Sequence, residues 1–248
     1  MKILSAEQTR QADRYTIEHE PIASVDLMER ASRAFTDQLL DILTEPRPVL
    51  VLAGMGNNGG DGLCIGRMLH EAGWPVTIVA VRYSDSSSED FQVNEERAKT
   101  IADLKWIDLH EGDALPPMYA STLIIDALWG SGLNRPIEGW AVQVINAVNA
   151  SEAEVVAVDI PSGLYADAPV DGPHIQANLT ITFQAPKLSF MMADHSEAVG
   201  DWVVVDIGLH PEVLHSLHSP YQVIDESMVV PLLPLREKFD HKGTFGHG

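Results

Sequence analysis

The chain has one cysteine, Cys64, in 248 residues, so no internal disulfide can brace the fold, and a reducing compartment suits it. Basic residues are scarce: 16 lysines and arginines stand against 36 aspartates and glutamates, a formal charge of −20. That balance argues against nucleic acid as a partner, because binding it needs a basic face to displace counterions. No apolar run approaches membrane-spanning length, and the start lacks the basic and apolar regions of a secretory signal. Repeats and low-complexity tracts are missing as well. The expectation is a soluble, cytoplasmic protein. A hydrophobic share of 45% supplies an ordinary folded core, and the length allows one large α/β domain or two small ones.

What the chain does have is an apolar run, Val49 to Ala53, that enters Gly54-Met55-Gly56-Asn57-Asn58-Gly59-Gly60-Asp61-Gly62. The run reads as a buried parallel strand. Five glycines in nine residues exceed what a turn needs, and Leu63 to Leu69 follow at helical spacing. Strand, glycine loop and helix together aim bare backbone N–H groups and a helix N-terminus at an anion. A phosphate-bearing ligand is the first suggestion. The overall charge repels such a ligand, so its attraction has to be local.

Ser5-Ala6-Glu7-Gln8 has the form of a capping box and predicts a helix from Ala6 to about Glu18. Ser24 or Asp26 would cap a second helix, Leu27 to Leu43, which Pro46 and Pro48 end. Apolar and helical stretches then alternate: strand Val76 to Val81, helix Glu89 to Leu104, strand Leu123 to Ile125, helix Trp140 to Val148, then strands Val155 to Val158, Leu179 to Phe183 and Trp202 to Val205. Alternation of this kind means a parallel sheet with helices on both faces. No linker divides residues 1–230.

Three strands end alike. The first delivers the glycine segment, the second Asp126-Ala127-Leu128-Trp129-Gly130-Ser131-Gly132, the third Asp159-Ile160-Pro161-Ser162-Gly163. In an open parallel sheet, ligands bind beyond the carboxyl ends of the strands. Asn57, Asn58, Asp61, Asp126, Asp159 and Ser162 would therefore meet, and Thr180 to Lys187 brings a lysine behind a fourth strand. Blander roles exist for each: Asp126 and Asp159 suit helix caps, Ser162-Gly163 suits a turn, Lys187 a solvated surface, and Cys64 core packing. A nicotinamide-dependent oxidoreductase is the rival, since Gly54 to Gly59 fits G-x-G-x-x-G. The strand Val76 to Val81 ends not in the acid an NAD enzyme needs but in Arg82, which could take the extra phosphate of NADP. A non-catalytic nucleotide-binding module is a third possibility.

Taken together, Gly56 to Gly62, Asp126 to Gly132, Asp159 to Gly163, Thr182-Phe183 to Lys187 and the opening helices with Leu27-Met28-Glu29-Arg30-Ala31 resemble the NAD(P)HX epimerase, or YjeF N-terminal domain, family over about residues 5 to 225. The resemblance implies a Rossmann-like three-layer α/β/α sandwich with a mostly parallel central sheet and two N-terminal helices. It implies interconversion of the R and S epimers of hydrated NADH and NADPH, so that a dehydratase acting on one epimer can restore the cofactor. Carried over by position, Asn57, Asn58, Gly59, Gly60, Asp61, Gly130, Ser131, Gly132, Leu133, Asn134, Arg135, Pro136 and Asp159 would line the dinucleotide site. Asn58, Asp126 and Ser162 would hold a potassium ion, and Asp159 and Lys187 are the candidate acid–base pair. One carboxylate with neutral oxygens is a weak-field cation site, unlike the several carboxylates usual for calcium. Family members commonly pair as homodimers. Trp140 stands where the family has tyrosine, and Phe239 to His247 resemble the opening of the dehydratase domain of bifunctional members. The expected organisation is an epimerase domain over 1–230, then a linker and the start of a further domain over 231–248.

Overall fold

The computed structural model describes residues 1–170, 172–233 and 238–241. Two helices, α1 (Ala6–His19) and α2 (Ser24–Ile42), precede β1 (Val49–Ala53), α3 (Asn57–Glu71), β2 (Val76–Val81), α4 (Glu89–Lys99), β3 (Lys105–Leu109), β4 (Leu123–Ala127), α5 (Ala141–Asn149), β5 (Glu154–Val158), β6 (Leu179–Phe183), α6 (Ser196–Val199), β7 (Asp201–Val205) and α7 (Pro211–Ser216). The seven strands form one sheet in the order β3-β2-β1-β4-β5-β6-β7, and every neighbouring pair is parallel. The strand order turns between β1 and β4, where the chain leaves the sheet toward opposite faces. A doubly wound sheet opens its ligand crevice at that point.

Local chemistry sets the ends of the elements. The Ser5 hydroxyl accepts from the Gln8 N–H while Gln8 Oε1 accepts from the Ser5 N–H, a complete capping box. Helix α2 begins earlier than the pattern suggests, at Ser24, and its N-cap Ala23 provides no side-chain cap. Successive side chains along each strand face opposite sides of the sheet. Val51, Ala53, Ile78, Ile125 and Ile181 pack against α2, α3 and α4, with Leu27, Phe35, Leu63 and Phe91 facing them. Leu50, Leu52, Val79, Ile124 and Ala157 face the other way, onto Ala141, Val144 and Ile145 of α5. A smaller cluster with Ile160, Phe190 and Val199 covers that face near β6 and β7. Among the described residues, no helix is long and apolar enough to cross a membrane.

The glycine segment differs from its expectation. Most of it is helix, since α3 starts at Asn57, and none of Gly54, Gly56, Gly59, Gly60 or Gly62 has positive φ. Glycine is required here for close approach. A Cβ on Gly54 would lie 1.8 Å from the Leu128 carbonyl oxygen, one on Gly59 1.9 Å from the Gly54 carbonyl oxygen, and one on Gly62 2.5 Å from the Ala127 Cβ. These contacts draw α3 against β1 and β4, so its first turn sits at the edge of the crevice. Of the stretch expected to open a further domain, residues 234–237 and 242–248 lie outside those described.

Candidate active site

The carboxyl edge of the sheet holds a cavity of about 530 Å³. Asn57, Asn58 and Asp61 enter it from α3, Gly130 to Arg135 from the loop after β4, and Asp159 from the loop after β5. Gly59 and Gly60 are buried and stay outside its wall, and Pro136 lines an adjoining groove with Arg135, Trp129 and Tyr83. Helix α1 closes the top with Thr9, Arg10 and Asp13. A side chamber of about 290 Å³ between α1, α2 and α3 shares Arg10, Asp13, Asn57 and Asp61. Trp140 packs beside α5 and does not reach the cavity.

Asp159 is held in a fixed pose. Its backbone is left-handed, at φ 65°, and its N–H donates to the Ile181 carbonyl. Oδ1 accepts from Thr182 Oγ1 at 3.1 Å, from the Phe183 N–H at 3.0 Å and from Lys187 Nζ at 2.5 Å. Oδ2 has no hydrogen bond among the described residues and belongs to a side chain that lines the cavity. Lys187 sits elsewhere. It is 1% exposed, lines no cavity named here, and its ammonium also donates to Thr182 Oγ1, the Phe183 carbonyl and the Ala185 carbonyl at 2.9–3.3 Å. With four acceptors around three N–H bonds, Lys187 has none to offer a ligand. The expected pair is adjacent, but only its carboxylate faces the crevice.

Asp126 lies inside β4, paired with Leu52 and Ala157, so the strand runs past the point where the apolar pattern ends. Its carboxylate is fully buried. Oδ1 accepts from Ser162 Oγ at 2.6 Å and from the Leu128 N–H, while Oδ2 accepts from the Ser162 N–H at 2.8 Å. Ser162 Oγ also accepts from the Trp129 N–H at 2.8 Å, which ties the two loops together. No ion pair compensates Asp126 among the described residues, and burial pushes its carboxyl up to about 6 against the opposing hydrogen bonds. Asn58 of α3 packs on Gly130 of the loop after β4, and its Nδ2 is buried with no partner among the described residues. A buried carboxylate with no ion pair among the described residues, bonded to a hydroxyl, leaves a charge that a monovalent cation would offset, and Asn58 would join such a site through its amide oxygen and not its Nδ2.

The remaining carboxyls of the cavity are perturbed. Burial pushes Asp61 well above the usual carboxylate range, with the charges of Asp159, Asp13 and Asp90 adding and the Ser32 hydroxyl offsetting part. Burial likewise brings Asp13 up to about 6, the charge of Asp159 adding and that of Lys187 opposing. Arg135 lines the cavity and has no ion pair among the described residues. Cys64 is buried in α3, and burial with the nearby Asp61 and Glu29 charges pushes its thiol up to about 12, which makes it inert packing.

Arg82 does not serve as a phosphate ligand. Its guanidinium is bound by Glu95 and Asp108 and stacks over Phe91. That removes the feature that kept an NADP-dependent oxidoreductase in contention. Sequence reasoning missed Asp13, Thr9 and Arg10, and also Tyr83, which stacks on Trp129 with ring centroids 4.6 Å apart and accepts from the Met55 N–H. The Thr9–Asp13 spacing of one helical turn places both on one face of α1, the one signal present.

Comparison with known proteins identifies the family. A family model for the YjeF-related protein N-terminus matches residues 24–189. An NAD(P)H-hydrate epimerase of Limosilactobacillus fermentum is 40% identical over 210 residues, covering 84% of this chain and 98% of that protein. A bifunctional NAD(P)H-hydrate repair enzyme of Coxiella burnetii is 32% identical over 97% of this chain, which spans 48% of that protein. The crystal structure of yeast ynu0 shares the fold, with a TM-score of 0.73 at 18% identity over 92% of this chain and 98% of that one. The chain belongs to the YjeF-related N-terminal domain family.

Proposed function

We propose that this chain interconverts the R and S epimers of hydrated NADH and NADPH. The observation that carries the reading is the single cavity in which the first turn of α3, the 130–135 loop and a carboxylate with one free oxygen converge. The family match and the epimerase relatives point the same way. In this reading the free N–H groups at the start of α3 and the Arg135 guanidinium receive the pyrophosphate. The dinucleotide lies along the 130–135 loop, and the hydrated ring is presented to Asp159 Oδ2.

The reacting carbon bears a hydroxyl beside the ring nitrogen. It inverts if the hydroxyl leaves and returns on the other face, or if the ring opens and recloses. Both routes move protons, and in this reading Asp159 Oδ2 accepts or returns one. Lys187 acts through Asp159: it anchors Oδ1 and so orients Oδ2. A potassium ion would be held by Asp126, Ser162 and Asn58; when bound it supplies the missing positive charge and ties the loops after β4 and β5 to α3. This reading makes a dehydratase the next enzyme to act on the product.

The test is to supply purified protein with a single epimer of NADH hydrate and follow the second by chromatography. Conversion by the parent and its loss in Asp159→Asn are expected. A parent that leaves the epimer unchanged, or one that transfers hydride from NADPH to a carbonyl compound, would overturn the assignment.

A further inference from the structure

The epimerase reading, on which this inference rests, leaves one role unfilled. Inversion by loss and return of a hydroxyl needs a proton delivered on one side of the carbon and another removed on the opposite side. Asp159 Oδ2 can do one of these. Lys187 cannot do the other, because its N–H bonds are all directed at Asp159, Thr182 and two backbone carbonyls.

Two further carboxyls line the cavity, and they are not equivalent. Asp61 stands one turn into α3, where the Ser32 hydroxyl bonds it. Asp13 comes from α1, across the crevice mouth from the sheet, and has neither a hydrogen bond nor an ion pair among the described residues. The arginines on either side of it in sequence are engaged elsewhere, since Arg10 and Arg14 both bond Glu7. Asp13 is thus a half-buried carboxyl with both oxygens free and a wall of the site on its own helix. No structural task in the fold accounts for it.

We propose that Asp13 is the second proton-transfer group of the site, paired with Asp159 across the bound ring. In the forward direction the protonated carboxyl of one gives its proton to the substrate hydroxyl. The carbon–oxygen bond breaks, its electron pair leaving on water, while the ring-nitrogen lone pair forms a carbon–nitrogen double bond. Water then adds to the other face of that carbon, the π pair returns to nitrogen, and the added water's proton passes to the other carboxylate. Substrate and product are isomers, no electrons are gained or lost, and exchange with solvent restores the two carboxyls. The charged groups facing Asp13 are Arg10 and Arg14 of its own helix, Asp61 of α3, Asp90 of α4, Asp159 after β5 with Lys187 behind it, and Arg135 of the 130–135 loop. Burial first, then the charge of Asp159, with Lys187 opposing, brings Asp13 up to about 6, so both of its forms are populated near neutrality.

The test compares parent, Asp13→Asn and Asp13→Glu with single epimers of NADPH hydrate between pH 5 and 9. Asp13→Asn is expected to lower kcat by about 10²–10³-fold with KM within a few-fold, and to remove the limb of the kcat/KM profile near pH 6. Asp13→Glu is expected to keep that limb and to recover part of the rate. Circular dichroism at each pH verifies that the variants are folded. An active parent with an Asp13→Asn variant of equal rate, or of lower rate on an unchanged pH profile, overturns this assignment alone. An inactive parent overturns the epimerase reading and this assignment with it.

Discussion

Replacing Lys187 by methionine isolates what the ammonium does for Asp159. The lysine is 1% exposed and the aspartate 7%, so the ammonium has no water to fall back on and the carboxylate meets it only on its cavity side. Lys187→Met would leave the carboxylate with only the Thr182 hydroxyl and the Phe183 N–H on Oδ1, and the Ala185 carbonyl without its donor, while the Phe183 carbonyl keeps the Ala185 N–H. Breaking a buried pair by removing one partner costs about 3–5 kcal/mol. In a chain of this size each kcal/mol is worth roughly 2–4 °C, so Tm should fall by about 10 °C. Asp159→Asn alone should also destabilise, by stranding the ammonium. The double variant strands neither group and is expected to be more stable than the sum of the singles by about 2 kcal/mol. Urea unfolding followed by circular dichroism measures all four proteins. Strictly additive losses would refute the claim that Lys187 exists to hold Asp159.

Other consequences are smaller in scope. Asp61 and Asp13 have folded-state values above their unfolded ones, so each favours the folded state below about pH 4, and that contribution is lost as pH rises; for Asp13 the loss spans pH 4 to about 6. Asp13→Asn should therefore raise stability at pH 7.5, by up to about 3 kcal/mol, and leave it nearly unchanged at pH 4, as read by thermal melts. Gly54→Ala places a methyl 1.8 Å from a backbone carbonyl that cannot retreat, and should cost at least about 2 kcal/mol, whereas Gly132→Ala meets nothing within 4 Å and should leave Tm unchanged. Arg82→Ala should lower stability through loss of its two carboxylate partners while leaving the ratio of kcat/KM for NADPH hydrate over NADH hydrate within about twofold; a large change in that ratio would restore Arg82 as a phosphate ligand.

Much of the fold was legible because parallel strands buried on both faces carry continuous apolar runs, as β1, β4 and β5 do, while β6 shows an apolar residue at every second position. Strand β3 escaped notice for the opposite reason. It is an edge strand whose Lys105 and Asp108 are exposed, so Lys-Trp-Ile-Asp-Leu gives a weak pattern, and only its pairing with β2 defines it. Asp126 hid the true end of β4, since a buried acid inside a strand reads as the residue after it. The glycine-rich segment borders the carboxyl-edge cavity, but its glycines are mainly packing contacts, and the side chains it sends to the cavity are those of Asn57, Asn58 and Asp61. Lys187 was found by its place after a strand, yet sequence could not tell whether its ammonium faced the ligand or the carboxylate. Asp13 had the weakest signal. Between Arg10 and Arg14 on a polar helix it looks like one more surface charge, and only the docking of α1 over the crevice distinguishes it.

The most direct measurement is a crystal structure with NADPH bound. The account predicts the pyrophosphate beside Asn57, Asp61 and Arg135, and the nicotinamide carbon next to the ring nitrogen within hydrogen-bonding reach of Asp159 Oδ2, directly or through one water. A dinucleotide bound outside the carboxyl-edge cavity, or inside it with the adenine end at Asp159, would contradict it.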